Sequence, residues 1–123
     1  MAVGYMAVNQ VLNGSAHFDK ILSNTANNVN KTLPKMVDSA TRLDTTIAGP
    51  GKKFTYVYTL VNVDKSNPIA AALQDKLKPQ IVANYKTSEK MKVFRDENVE
   101  LDYQYKDKNG DLVCEVAVSP KDF

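Results

Sequence analysis

The stretch Val99-Glu100-Leu101-Asp102-Tyr103-Gln104-Tyr105-Lys106-Asp107-Lys108-Asn109-Gly110-Asp111-Leu112-Val113-Cys114-Glu115-Val116-Ala117-Val118 decides the reading of this chain. Val99, Leu101, Tyr103 and Tyr105 alternate with Glu100, Asp102, Gln104 and Lys106, the period-two pattern of a strand with one dry and one wet face. Asn109-Gly110 offers the positive φ angles of a type I′ turn, and Leu112, Cys114, Val116 and Val118 make the inner face of a returning strand. The sequence predicts an antiparallel β-hairpin here.

Upstream, the pattern changes to helical spacing. Ile69, Leu73, Leu77, Ile81 and Tyr85 recur every fourth residue, which predicts a helix with one buried stripe. Asn67 or Ser66 can cap it, Pro68 suits its first turn, and Pro79 inside it predicts a kink. Ser88 can cap a further short helix from Glu89 to about Glu97, with Met91 and Phe94 inward and Asn98 as a left-handed stop. Before these lies the strongest strand signal, Phe54 to Val63, with apolar groups on both faces as expected of a central or doubly covered strand. Thr41 to Ala48 reads as its hairpin partner, with Gly49-Pro50-Gly51 reversing the chain.

Residues 1–14 show no sustained period and read as a flexible N-terminal arm; residues 15–123 read as a single domain. A first helix starts at Ala16 with Ser15 as cap and carries Phe18, Ile21, Leu22, Ala26, Val29 and Leu33 on one face, with Pro34 ending it. Its Asn-rich stretch from Asn24 to Asn30 has poor helix propensity, so tertiary packing must hold it. The expected architecture is a two-layer α+β domain, an antiparallel sheet of about four strands packed on the long helix. The N-terminal helix then lies along an edge or against a partner subunit.

Composition sets the outer bounds. A chain of 123 residues, 43% apolar and 24% charged, fits one ordinary core. Sixteen basic against fourteen acidic residues leave a charge of +2 without a basic stripe, which argues against nucleic acid. No apolar run is long enough to span a bilayer, and the mildly apolar start, broken by Asn9, Gln10 and Asn13, is a poor secretory signal. Cys114 is the only cysteine and cannot form an intramolecular disulfide, so cytoplasmic residence is expected unless a leader was removed.

The chemistry-bearing residues are few. His17 is the sole histidine and reads as a surface or capping residue; with one His and one Cys, neither a metal site nor any cofactor is expected. Cys114, on an inward strand face, reads as a buried and inert thiol rather than a nucleophile. Gly49-Pro50-Gly51-Lys52-Lys53 lacks the spacing of a phosphate loop and reads as a turn with solvated lysines. Asp38 and Asp44, with Arg42 between them, form either a carboxylate pair for acid–base chemistry or a salt bridge at the helix-to-sheet junction. Tyr56, Tyr58, Tyr103 and Tyr105 can line a ligand cavity, pack in the core, or form a dimer face.

Blocks of the sequence carry a likeness. Val29-Asn30-Lys31-Thr32-Leu33-Pro34-Lys35-Met36-Val37-Asp38, Thr41-Arg42-Leu43-Asp44, Gly49 to Tyr56, Tyr103 to Gly110 and Val118 to Asp122 resemble a family of small uncharacterised bacterial proteins, mostly made with signal peptides. The likeness runs from about Val29 to the end and implies no activity. The family's pattern implies a bridged cysteine pair at the positions that here hold Lys86 and Phe123. Their loss suits a member living in a reducing compartment, and small domains of this kind also occur in mobile gene cassettes.

These readings point to a non-enzymatic binding module that uses the sheet face or cavity near Tyr56, Tyr58, Tyr103, Tyr105 and Arg42. A homodimer is expected, with a small molecule or a protein as partner. The alternatives are a small hydrolase or isomerase built on Asp38, Asp44 and Arg42, and an inhibitor or immunity-like protein that plugs a partner.

Overall fold

Helix α1 spans Gln10–Asn30, and strands β1 (Lys35–Met36), β2 (Thr41–Gly49) and β3 (Lys53–Leu60) follow it. Helix α2 (Pro68–Thr87), a 3-10 turn (Glu89–Met91) and the short α3 (Lys92–Asp96) lead to β4 (Glu100–Lys106) and β5 (Leu112–Val118). The structure, a computed structural model, describes residues 10–123.

The class is α+β, as the sequence indicates, and the strands lie in chain order, β1-β2-β3-β4-β5. Two features differ from the four-stranded antiparallel expectation. Lys35–Met36 adds a fifth strand, too short to show any alternation. More consequentially, β3 and β4 pair in parallel, while the other pairs are antiparallel. The chain between Leu60 and Glu100 passes through α2 and α3, and such a long crossover is what brings a strand back in the same direction.

Part of the arm expected over residues 1–14 lies outside the described residues. Gln10 to Gly14 belong to α1, so Ser15 sits inside the helix rather than at its cap, and the helix stops at Asn30, before Pro34. Phe18, Leu22 and Ala26 bury against the sheet in one core with Phe54, Leu101 and Val116. Polar side chains stake the helix at two points: Asp19 accepts from the backbone N–H groups of Gly51 (3.1 Å) and Lys52 (2.8 Å). Near the other end, Asn30 accepts from the N–H of Thr46 (2.8 Å) and donates to its carbonyl (2.9 Å), acting like one residue of an extra strand. The helix, expected along an edge or against a partner subunit, packs its apolar side on the chain's own sheet.

Asn67 caps α2 by accepting from Ile69 N–H at 3.0 Å, and Pro68 occupies the first turn. The helix continues through Pro79, which lies on an exposed side where water can satisfy the carbonyl its ring leaves free. The predicted stripe is buried only in its second half: Ile81 and Tyr85 are covered, whereas Ile69 is 61% exposed. The Tyr85 hydroxyl donates to the carbonyl of Val99 at 2.6 Å, and Arg95 donates to the carbonyls of Tyr85 and Ser88, closing the helix end. Asn98 takes the left-handed conformation, φ 56°, that the sequence suggested.

The turn between β4 and β5 is not type I′. Gly110 alone has a positive φ, 88°, and its N–H closes a turn onto the carbonyl of Asp107 at 3.0 Å. Asp107 dictates this: its fully buried carboxylate accepts from the N–H groups of Asn109 (2.8 Å), Asp111 (2.9 Å) and, across the fold, Lys65 (2.9 Å). Desolvation pulls its pKa upward, and the three backbone donors outweigh it, so the carboxyl sits below its ordinary range.

Candidate functional site

Parallel pairing in register sets Tyr56 beside Tyr103 and Tyr58 beside Tyr105. Neighbouring strands lie about 4.8 Å apart. The rings keep that spacing and stack, with centroids at 4.8 Å for Tyr56–Tyr103 and 4.9 Å for Tyr58–Tyr105. Tyr58 and Tyr103 are nearly parallel across the diagonal, at 6.1 Å and 4°. Four rings from two strands therefore make one continuous aromatic floor.

A cavity of about 510 Å³ opens above this floor. Leu73, Leu77, Ile81, Gln80 and Asn84 of α2 line it, as do Leu60 and Met91, with Val37, Asp38 and Thr41 on the side of the β1–β2 connection. Burial pushes the Tyr58 hydroxyl up to about 12 and raises Tyr56, Tyr103 and Tyr105 further, so all four keep their protons through the ordinary pH range. They offer neutral hydrogen-bonding tips on an apolar surface, which suits recognition and is poor general-base chemistry. At the cavity's edge the Asp38 carboxylate accepts from Ala40 N–H at 2.8 Å, and that bond holds its pKa below the ordinary value.

Arg42 does not join the tyrosines. Its Nε lies 2.6 Å from Oδ1 of Asp44, whose other oxygen accepts from the Thr59 hydroxyl. Strand alternation puts Thr59 on the face opposite Tyr58 and Leu60, and a register shift between Leu43 and Thr45 places Asp44 with it. Asp38 lines the tyrosine cavity, so the carboxylate pair read from the sequence is split across the sheet. The salt-bridge reading of Arg42 and Asp44 is the one the geometry gives.

His17 is exposed on α1, and among the described residues no group of three or more His, Cys, Asp or Glu is placed to hold a metal ion. Cys114 is buried, which pushes its thiol up and leaves it unreactive. The two turn lysines are engaged rather than merely solvated: Lys52 Nζ lies 3.2 Å from Glu97 and Lys53 Nζ 3.9 Å from Asp102. Phe123 packs edge-on against Tyr85, 5.6 Å between centroids, beside the position Lys86. Sequence reading passed over Asp19, Asp102 and Asp107. Only Asp107 left a signal, the Asp-Lys-Asn-Gly-Asp run typical of a side chain closing its own turn.

Comparison with known proteins adds a family and a fold. Residues 17–113 match the family model described as a domain of unknown function, DUF8479, and the chain belongs to that family. No curated protein sequence matches the chain. Among solved structures, a protein of Pseudomonas aeruginosa described as secreted superposes with a TM-score of 0.72 at 10% identity, covering 85% of this chain and 90% of that one. A pilotin of the type 2 secretion system of Vibrio vulnificus gives 0.67 at 11% identity, over 87% of this chain and 92% of that one. The type II secretion system pilotin of Vibrio cholerae gives 0.67 at 13%, over 92% of this chain and 98% of that one. At these identities the likeness is one of fold.

Proposed function

We propose that this member of the DUF8479 family is a non-enzymatic protein-interaction module that holds an apolar segment of a partner protein in its tyrosine-floored groove. The observation that carries the reading is the groove itself. Four stacked rings and the Leu73, Leu77 and Ile81 side of α2 present apolar surface around about 510 Å³ of open space, with polar tips at the rings and at Gln80, Asn84, Asp38 and Thr41. Aromatic anchors of this kind give large contact area for little conformational entropy.

Two fold neighbours are described as pilotins of type 2 secretion systems, which favours a protein as the occupant over a free small molecule. The same neighbourhood bears on location. The cytoplasmic expectation drew on a weak leader and a lone cysteine, and these structures lend it no support; with one neighbour described as secreted, we favour an exported protein.

The test is site-specific photocrosslinking in the bacterium that encodes the chain, with the crosslinking residue at Leu77 in the groove or at the exposed Ile47 on the other side of the sheet. A discrete protein adduct at Leu77 and none at Ile47 is expected. The same adduct from both positions, or none from Leu77, would sink the groove reading.

A further inference from the structure

We propose that the partner segment in the tyrosine groove carries a lysine or arginine side chain that docks on Asp38 at one end of that groove. This rests on the groove holding a protein segment, and Asp38 then fixes the sign of the segment's charge and the end at which that charge sits. The two ends are unlike. At one, Phe94 packs on Phe54 with 5.6 Å between centroids, and the nearby Met91 lines the groove with an apolar side chain. At the other, Thr41 pairs with Leu60, and its carbonyl accepts from the N–H groups of Val37 (2.9 Å) and Asp38 (3.4 Å), which sets Asp38 at the Leu60 end of the floor.

The chain carries sixteen basic residues against fourteen acidic, yet among the described residues no lysine or arginine lines the groove, and Asp38 is its one charged lining residue. The carboxylates of Asp44, Asp96, Glu97, Asp102 and Asp111 each have a lysine or arginine nitrogen within 3.9 Å. Asp38 belongs to none of these pairs and is exposed. The bond from Ala40 N–H holds its pKa below the ordinary value, so it is ionised at neutral pH. An occupant that covers this carboxylate takes it out of water, which is unfavourable unless the occupant brings a charge of opposite sign. The groove therefore selects against an acidic segment and for a basic one.

The surroundings suit a long basic side chain. Its apolar stem can cover Leu60 and the ring edges of Tyr58 and Tyr105 while its head reaches the carboxylate. Burial first, and then neighbours that include Asp38, raise the Tyr105 hydroxyl, so this phenol stays neutral and can accept from an N–H of the same head. Apolar side chains of the segment then lie over Tyr56 and Tyr103, toward Met91. From Tyr56 to Leu60 the floor is about 13 Å long, at about 3.3 Å per strand residue, so the apolar anchors and the basic residue belong to one short motif.

The test is random-peptide phage display panned on the full chain, on Asp38→Asn, on Asp38→Lys and on Leu77→Arg, which puts a cation into the groove itself. Asp38 is exposed, and Asp38→Asn keeps the oxygen that accepts from Ala40 N–H, so the fold is retained. The wild-type pool is expected to carry apolar residues with a lysine or arginine at a fixed spacing from them. Asp38→Asn should keep the apolar residues and lose the basic preference, and Asp38→Lys should replace it with aspartate or glutamate. A synthetic copy of the leading peptide should bind Asp38→Asn about fivefold more weakly than wild type, with added salt shrinking the difference. An apolar pool without a charge preference, the same preference from wild type and Asp38→Lys, or equal affinity for Asp38→Asn overturns docking on Asp38 and leaves the groove standing as a binding site. A pool that Leu77→Arg selects unchanged, or no enriched pool from any form, overturns the groove reading and this proposal with it.

Discussion

The two faces of strand β3 carry opposite chemistry on the same eight residues. Toward the helices it presents Phe54, Tyr56, Tyr58 and Leu60, which enter one core with Leu22 of α1 and Ile81 of α2 or line the groove beside it. Away from them it presents Thr55, Val57 and Thr59, which are also buried. Val57 is only 4% exposed, yet it lies outside that core cluster. The first face is stabilised by apolar area, the second by pairing of polar groups, and the two should respond differently to substitution.

The largest effect is expected on the helix-covered face. Phe54→Ala empties a site packed against Tyr56 and Phe94 and should cost about 3–5 kcal/mol in denaturant unfolding. A cost under about 1 kcal/mol would mean that this face is not the close-packed one.

On the other face the sharpest expectation is a pH slope. Burial first, and then Glu115, raise the Asp102 pKa from 3.8 to about 6, so the folded state holds this proton more tightly than the unfolded chain does. Its contribution is full below the ordinary carboxylate pKa and is lost as pH rises through about 6. Asp102→Asn should therefore gain in unfolding midpoint relative to wild type on going from acid to neutral pH; equal midpoint differences at both ends would remove the buried charge from the account. Glu115 shifts the other way, lowered by its hydrogen bond to Asp102, as expected when two carboxyls share one proton.

Arg42→Ala removes a partly exposed pair with Asp44 and should cost no more than about 1 kcal/mol, with salt reducing the difference. Smallest of all, Tyr58→Phe removes a hydroxyl on the groove floor, leaves the ring stack, and should change stability by less than about 0.5 kcal/mol. A large loss there would show that the hydroxyl holds the fold together rather than facing an occupant.

Much of the fold was legible in local patterns. The alternation through Tyr103 and Tyr105 and through Tyr56 and Tyr58 told which side chains share a face, because strand period is a local property. The Asn67-Pro68 start of α2 and the left-handed Asn98 were legible for the same reason. The partners of those faces were not. Nothing in Glu100-Leu101-Asp102 tells that β4 lies against β3 in parallel, with β5 on its other side. That placement turns the nominally wet Asp102 into a buried group and stacks the two tyrosine pairs ring on ring. Likewise Asp38 and Asp44, six positions apart, looked like neighbours until the strand pleat and the register shift at Leu43–Thr45 set them on opposite sides.

The sequence by itself determined the elements and their faces: an α+β chain, strands with tyrosines on one side, a helix with an apolar stripe. Periodicity and turn chemistry act over a few residues and need no knowledge of the rest. Tertiary structure alone decided the parallel central pair, the groove between the tyrosine floor and α2, and the burial of Asp102 beside Glu115. Each of these depends on which distant segment arrives alongside, and that follows from closing one core around all the apolar faces together.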